Sequence, residues 1–474
     1  MESLSRLILA AFVFGQSTEQ TPIALDSRLE IFVDRYCIQK LENTELVLHS
    51  PCPAETAIQF DRDWEGRYCG YVTVIKDTDV FRMYYRGLPV SGKDGQNAEV
   101  TCYAESRDGI HWTKPDLGIY EIDGTRNNNV ILAGMSPFSH NFAPFIDTRP
   151  GVNPKQRFKA VAGTEASGLK AFVSEDGIHW ELVTDEPLIK EGAFDSQNVV
   201  FWSETEQAYC CYFRTWQDKI RRVSRCVSQD FLHWSTPELM EYSRGPLEHL
   251  YTNQTLPYFR APHIYIGLAA RFMPGRRVID AEHASQYGVE EKYSDDCSDA
   301  VLISSRGGNL YDRTFMEAFI RPGYGLSNWT SRTNYPAYGI VQTGPAELSV
   351  YVQRNYGQPG HFLERLRLRL DGFASVRAPY DGGVMLTRPL RFLGKSLYLN
   401  YSTSAAGQVQ VEILDEAAKP IPGYAAADCD LLIGDEIDRK VTWKKNDDLT
   451  TLQGKTVQLR FIMKDADLFA LQFR

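Results

Sequence analysis

The sequence is short of paired cysteines, of positive charge and of long apolar runs, and each shortage excludes something. Its nine cysteines form no C-x-x-C pair and no metal-ligand spacing. Cysteine chemistry is therefore not the function, and thiols inside apolar runs, such as Cys102 and Cys226, are expected to be buried. A net charge of −10 argues against nucleic acid as a partner while leaving room for a local basic pocket. The apolar run Leu7 to Phe14, behind Arg6, is too short to cross a bilayer and has the length of a signal-peptide core. A signal peptide over residues 1–17 and a secreted or periplasmic location are expected, with no membrane span elsewhere. What is present, 43% hydrophobic and 24% charged residues, is ordinary for a protein with a sizeable core.

Self-similarity organises most of the chain. Ser106-Arg-Asp-Gly-Ile-His-Trp112 recurs as Ser174-Glu-Asp-Gly-Ile-His-Trp180 and as Ser228-Gln-Asp-Phe-Leu-His-Trp234. Weaker forms stand at Ser304 to Tyr311 and Leu370 to Phe373, so the third positions (Asp108, Asp176, Asp230, Arg306, Asp371) fall 54 to 76 residues apart. An alternating strand precedes each full copy. Asp-Gly then supplies the positive φ of a tight turn, and the tryptophan returns on the next strand to pack the hairpin. Two further apolar runs lie upstream, for example Tyr71 to Ile75 and Phe81 to Tyr85. Each unit reads as four antiparallel strands, a propeller blade. The prediction is an all-β chain: a five-bladed β-propeller within residues 25–382 and a C-terminal β-sandwich over 383–474, where short alternating strands carry no further copy. The run Arg28 to Val33 is expected either to close the ring or to lie against the sandwich.

These hairpins, with Phe60-Asp-Arg-Asp-Trp-Glu-Gly66, Phe194-Asp-Ser-Gln-Asn198 and Tyr335-Pro-Ala-Tyr-Gly-Ile-Val-Gln-Thr-Gly-Pro345, resemble the five-bladed glycoside hydrolases of families 32, 43 and 68. The chain is most similar to exported bacterial family 32-like proteins. The resemblance implies a carbohydrate substrate. It also has departures. The Asn-Asp-Pro-Asn, Arg-Asp-Pro and Glu-Cys patterns of the fructosidases are missing, and Asn141 stands where that family has an aspartate. The fold transfers; fructan specificity does not.

Inner strands of a propeller begin at one rim of the central funnel, and second strands end there. This rule places Glu65, Glu165 and Asp195 at the rim as candidate catalytic carboxylates, since glycoside hydrolysis needs one ionised and one protonated carboxyl. Asn141, Glu248, Asn253 and Arg332 join them as candidate substrate ligands, with Asp61 behind. Arg86, Arg214 and Arg271 end second strands in three blades, where their guanidiniums would take a carboxylate or sulfate in bidentate fashion or pair with the rim carboxylates. Trp216 and Tyr251 are aromatic enough to stack on a sugar. The charged insertion Met273 to Cys297 is either a lid or a solvated loop, and Asp295, Asp296 and Asp299 complete no calcium pattern. No metal or cofactor is expected. The reading is a secreted glycoside hydrolase with a carboxylate pair in the funnel, acting on a sugar that the arginines suggest is anionic. The alternatives are a non-catalytic glycan-binding propeller and a sialidase-like or lyase-type enzyme.

Overall fold

The computed structural model describes residues 21–92 and 95–474, so the expected signal peptide lies outside the described residues. Five antiparallel sheets form the blades. From the axis outwards, blade one runs Gly70–Asp77, Val80–Gly87, Val100–Ser106 and Val130–Leu132. Blade two runs Ala143–Ile146, Phe158–Ala162, Lys170–Ser174 and Glu181–Leu182; blade three runs Val199–Ser203, Ala208–Gln217, Ile220–Ser228 and Glu238–Leu239. Blade four is His249–Thr252, Ala261–Met273, Cys297–Ser305 and Ala318–Ile320. In blade five, Val341–Gly344, Glu347–Arg354 and Phe362–Arg369 take their fourth strand, Cys52–Gln59, from the other end of the chain. That pairing closes the ring. Leu29–Ile31 instead pairs with Gln458–Phe473 of the C-terminal sheet.

Alternation along the strands explains the packing. In Ala208–Gln217, Tyr209, Cys211 and Phe213 join an apolar cluster with blade two, while Cys210 and Tyr212 join another with blade four. Adjacent Cys210 and Cys211 thus face different blades. All nine cysteines are free thiols, eight of them buried. A fully buried aromatic or aliphatic side chain of this kind contributes about 2 kcal/mol.

The repeated heptapeptide forms the hairpin expected of it. Asp108 Oδ1 accepts from the Ile110 and His111 amides, both at 2.8 Å, and Ser106 Oγ accepts from Gly109 N at 2.8 Å. Gly109 and Gly177 have φ of 74° and 76°, and Phe231 holds the same turn at 73° without being glycine. Its strain is offset by its ring, which packs on Phe145 and Tyr209 at 5.8 and 5.3 Å.

The C-terminal unit is one sheet bent over its own core. Leu397–Leu414 and Gln458–Phe473 pair along their length across a break between Thr403 and Gln408. One half takes Gly383–Thr387 and then Ile38–Glu42; the other takes Ala374–Ala378 and then Glu45–Leu48. Leu399, Val411, Trp443, Phe461 and Phe473 fill the space between. The division expected at 382/383 therefore differs from the strand pairing. Ala374–Ala378 and the strands between Ile23 and Leu48 pair with strands of the C-terminal region; Ile23, Leu25, Ile38, Val376 and Ala378 join its core, while Leu29, Ile31 and Ala374 pack on blades four and five. Buried polar groups join it to the propeller: Arg306 and His263 meet Glu30, and Arg369 donates to Asn400 at 2.8 Å. Burial pushes the Glu30 carboxyl up, but His263 and Arg306 more than offset this and hold it below its ordinary value.

Candidate active site

A cavity of about 390 Å³ opens where the inner strands of blades one, three, four and five begin. Its wall carries the tyrosines Tyr71, Tyr251, Tyr293, Tyr335 and Tyr356 and the cations Arg86, Lys292 and Arg332. Three amides complete the polar lining: Gln197, Gln254 and Gln353. No carboxylate lines it among the described residues.

These polar groups are held by one another and by groups behind the wall. Arg86, opposite Gly70 in register, donates to Tyr68 O at 2.9 Å and Tyr356 Oη at 3.3 Å, and lies over the Tyr71 ring at 4.7 Å. Arg332 and Asn334 adopt φ of 59° and 74° in the loop entering blade five, a conformation costly for residues with a Cβ. The loop is pinned by Gln353 Nε2 donating to Arg332 O at 2.6 Å and by Asn334 Nδ2 donating to Ser298 O at 2.8 Å. Gln197 Nε2 donates to Thr73 Oγ1 at 2.9 Å, and Gln254 Nε2 to Gln197 Oε1 at 2.7 Å. Buried oxygens of Thr252, Gln254 and Tyr335 have no partner among the described residues.

The insertion between Met273 and Cys297 contributes a wall. It folds into a helix, Ala281–Gln286, and a 3-10 turn, Glu291–Tyr293, whose Ile279, Ala284, Val289 and Tyr293 pack on Tyr68, Leu88 and Tyr356. Ser91 Oγ donates to Glu290 Oε1 at 2.9 Å across this contact. Lys292 and Tyr293 reach the cavity as a result.

Tyr251 is set off from the other phenols. Burial alone would raise it, but the charges of Arg332 and Arg214, a hydrogen bond from Arg332 and the charge of Arg221 bring its hydroxyl down to about 7. Tyr335 beside it is pushed well above its ordinary value by burial, and Tyr356 to about 12 by the same cause. Arg332 is half-buried, which disfavours its charge, yet the surrounding phenols, Tyr251 first, raise its basicity.

Of the residues that the strand-end rule places at the rim, Arg86 and Arg332 line the cavity. Arg214 reaches it indirectly, over the Tyr251 ring at 4.9 Å, while ion-paired with Asp195. Asp195 adjoins the wall, its carbonyl accepting from Tyr71 Oη at 3.0 Å. The structure does not bring Glu65 and Glu165 to Asp195. Glu65 is fully buried behind the rim, accepting from Lys114 Nζ and Tyr85 Oη, both at 2.6 Å, and from Arg62 N at 3.0 Å. Glu165 stands exposed in the turn after Phe158–Ala162. Arg271 reaches the right strand end but turns away, because Asp299 lies directly opposite in register and pairs with it at 2.6 Å; Glu248 completes the group at 3.0 Å. Asn141 bonds backbone groups, accepting from Gly163 N at 3.0 Å and donating to Ser196 O at 2.8 Å, and so ties blades two and three together. Asn253 Oδ1 caps Thr255 N at 3.0 Å. Asp61 pairs with Lys114. Tyr71, Gln254, Lys292, Gln353 and Tyr356 carried no rim signal. Among the described residues, no group of three or more His, Cys, Asp and Glu side chains converges to hold a metal ion.

No family model and no curated protein matches the chain. Among solved structures, one described as a glycoside hydrolase is similar over 68% of this chain and 92% of its own, at 11% identity and a TM-score of 0.46. A β-1,2-mannobiose phosphorylase from Listeria innocua matches 69% of this chain and 97% of its own, at 10% identity and a TM-score of 0.44. An N-acetylgalactosamine deacetylase from F. plautii matches 69% and 96%, at 12% identity and a TM-score of 0.41. At these identities and scores the likenesses assign the chain to no family and carry no activity over to it.

Proposed function

We propose that the protein is a carbohydrate-active enzyme that takes an anionic sugar, carrying a carboxylate or sulfate, into the central cavity. The observation that carries this reading is the composition of the wall: three cations, five tyrosines and three amides, with no carboxylate among the described lining residues. Guanidinium forks suit planar anions, tyrosine faces suit the apolar faces of sugar rings, and amides suit hydroxyl groups. The volume lies within the ~300–1,000 Å³ of small-ligand sites. The sequence resemblance to five-bladed glycoside hydrolases supports a glycan as the substrate.

Hydrolysis would need two carboxylates. Of the three expected, Asp195 alone adjoins the wall, which leaves weight on a lyase-type reaction and on a glycan-binding propeller without catalysis. The test is to incubate purified protein with oligouronides, sialylated and sulfated glycans and their neutral counterparts, following products by mass spectrometry and binding by calorimetry. Cleavage of an anionic glycan and not of its neutral counterpart is the expected outcome. Binding without cleavage would leave the binding-protein reading, and no binding of any anionic glycan would overturn both.

A further inference from the structure

We propose that Tyr251 is the catalytic residue of the cavity, its phenolate removing the proton α to the carboxylate of a bound uronate and its phenol returning that proton to the departing glycosidic oxygen. This rests on the reading of the cavity as an anionic-sugar site and commits that site to β-elimination.

The backbone aims Tyr251. In the inner strand of blade four, Leu250 pairs with Arg271 and Thr252 with Ala270, so Tyr251 is an extra residue opposite no partner. Such a bulge re-aims a side chain out of the ladder's alternation. Here the ring sits between Tyr335, at 5.1 Å, and Phe272, at 5.7 Å, and lines the cavity.

Charge surrounds it from three elements. Arg214, Arg221 and Arg332 stand 4.9, 5.1 and 5.8 Å from the ring centroid. Arg214 shares its charge with Asp195, whereas no carboxylate faces Arg221 or Arg332 among the described residues. His249, on the same strand, meets Arg221, and burial and that charge lower its basicity. Tyr335 and Tyr356 remain phenols, since burial raises both. Among the protein's own groups, the anion that answers Arg221 and Arg332 is then the Tyr251 oxygen itself, consistent with its hydroxyl lying near 7.

The step balances without a cofactor or water. Arg332 takes the uronate carboxylate and stabilises the charge that develops as the C5–H bond breaks. The released electron pair forms the C4=C5 double bond and the C4–O bond breaks. Its oxygen leaves with the hydrogen that Tyr251 removed, so both proton transfers occur on one face of the ring.

The experiment uses the full chain. Ultraviolet difference titration of the wild type should show one tyrosine ionising near neutrality. Tyr251→Phe, which removes only the hydroxyl, should lose that transition, and Arg332→Ala should move it to higher pH. With a defined oligouronide, the wild type should release a 4,5-unsaturated product. Tyr251→Phe should bind it within a few-fold of wild type while turnover falls by about a hundredfold or more. Oligouronide binding without a near-neutral tyrosine, or turnover that survives Tyr251→Phe, or products that are saturated, would overturn the elimination alone. Failure of the wild type to bind the oligouronide would overturn the anionic-sugar reading and the elimination with it.

Discussion

At Asp108, Asp176 and Asp230 the chain makes one turn three times over, with the histidine three residues on reaching back to the aspartate at 2.7, 2.8 and 2.7 Å. The central cavity is less regular, although Arg86 shares its strand-end position with Arg214 and Arg271. Its arginine in blade one, its tyrosine in blade four and its arginine before blade five sit at inequivalent positions, two of them produced by a bulge and a positive φ. The contrast teaches where repetition ends. A residue pattern shared by the blades is architecture, because the same hairpin must close each sheet. A residue specific to one blade and pointing inwards is where function can differ.

Substitutions in the scaffold and in the cavity should have opposite signatures. The largest effect is expected at Glu65, which belongs with the architecture. Glu65→Ala leaves Lys114 and Tyr85 without their buried partner and should cost about 3–5 kcal/mol in denaturant unfolding. An unchanged stability with lost activity would move Glu65 to the site. Next is Arg332→Ala, which should weaken binding of an anionic glycan by about tenfold to a hundredfold, the worth of a charged hydrogen bond of ~1.5–3 kcal/mol. Its melting temperature should stay close to wild type, because Arg332 pairs with no carboxylate among the described residues. Asp176→Ala should do the reverse, costing about 1–2 kcal/mol of stability with no change in glycan affinity.

The smallest effect is in acid. Burial raises the Asp176 carboxyl, but His179 and the amides of His179 and Ile178 together outweigh it and bring it down to about 2, and Asp108 and Asp230 are lowered in the same way. The folded chain therefore binds fewer protons than the unfolded one below about pH 4. The stability these carboxylates contribute is complete above that value and is lost as pH falls towards 2. Unfolding by urea at graded pH should show a shallower acid dependence when all three aspartates are replaced by asparagine.

Much of the fold was legible because the hairpin carries its own chemistry: a serine and an aspartate that cap amides, a positive φ and a returning tryptophan. Five blades and a β-rich C-terminal unit followed from counting it. The ring-closing strand Cys52–Gln59 was not legible. As an outer strand it exposes Pro53, Ala54, Thr56 and Gln59 and shows no apolar run. The strand-end rule found Arg86 and Arg332, but it gives a side chain's height and not its direction, so it also selected Arg271, which Asp299 draws aside. Tyr251 was noticed as an aromatic; its role depends on a bulge that leaves no mark in the sequence. The insertion's charges left both a lid and a solvated loop open. The spacing of Ile279, Ala284, Val289 and Tyr293, which packs it over the cavity, was the signal for a wall.

The most direct test is calorimetric titration of the wild type and Arg332→Ala with an oligouronide and with its carboxyl-reduced, neutral counterpart. The wild type should bind the oligouronide at least about tenfold more tightly than the neutral chain, and Arg332→Ala should remove most of that preference. Equal affinity of the wild type for the two would contradict the anionic-sugar reading.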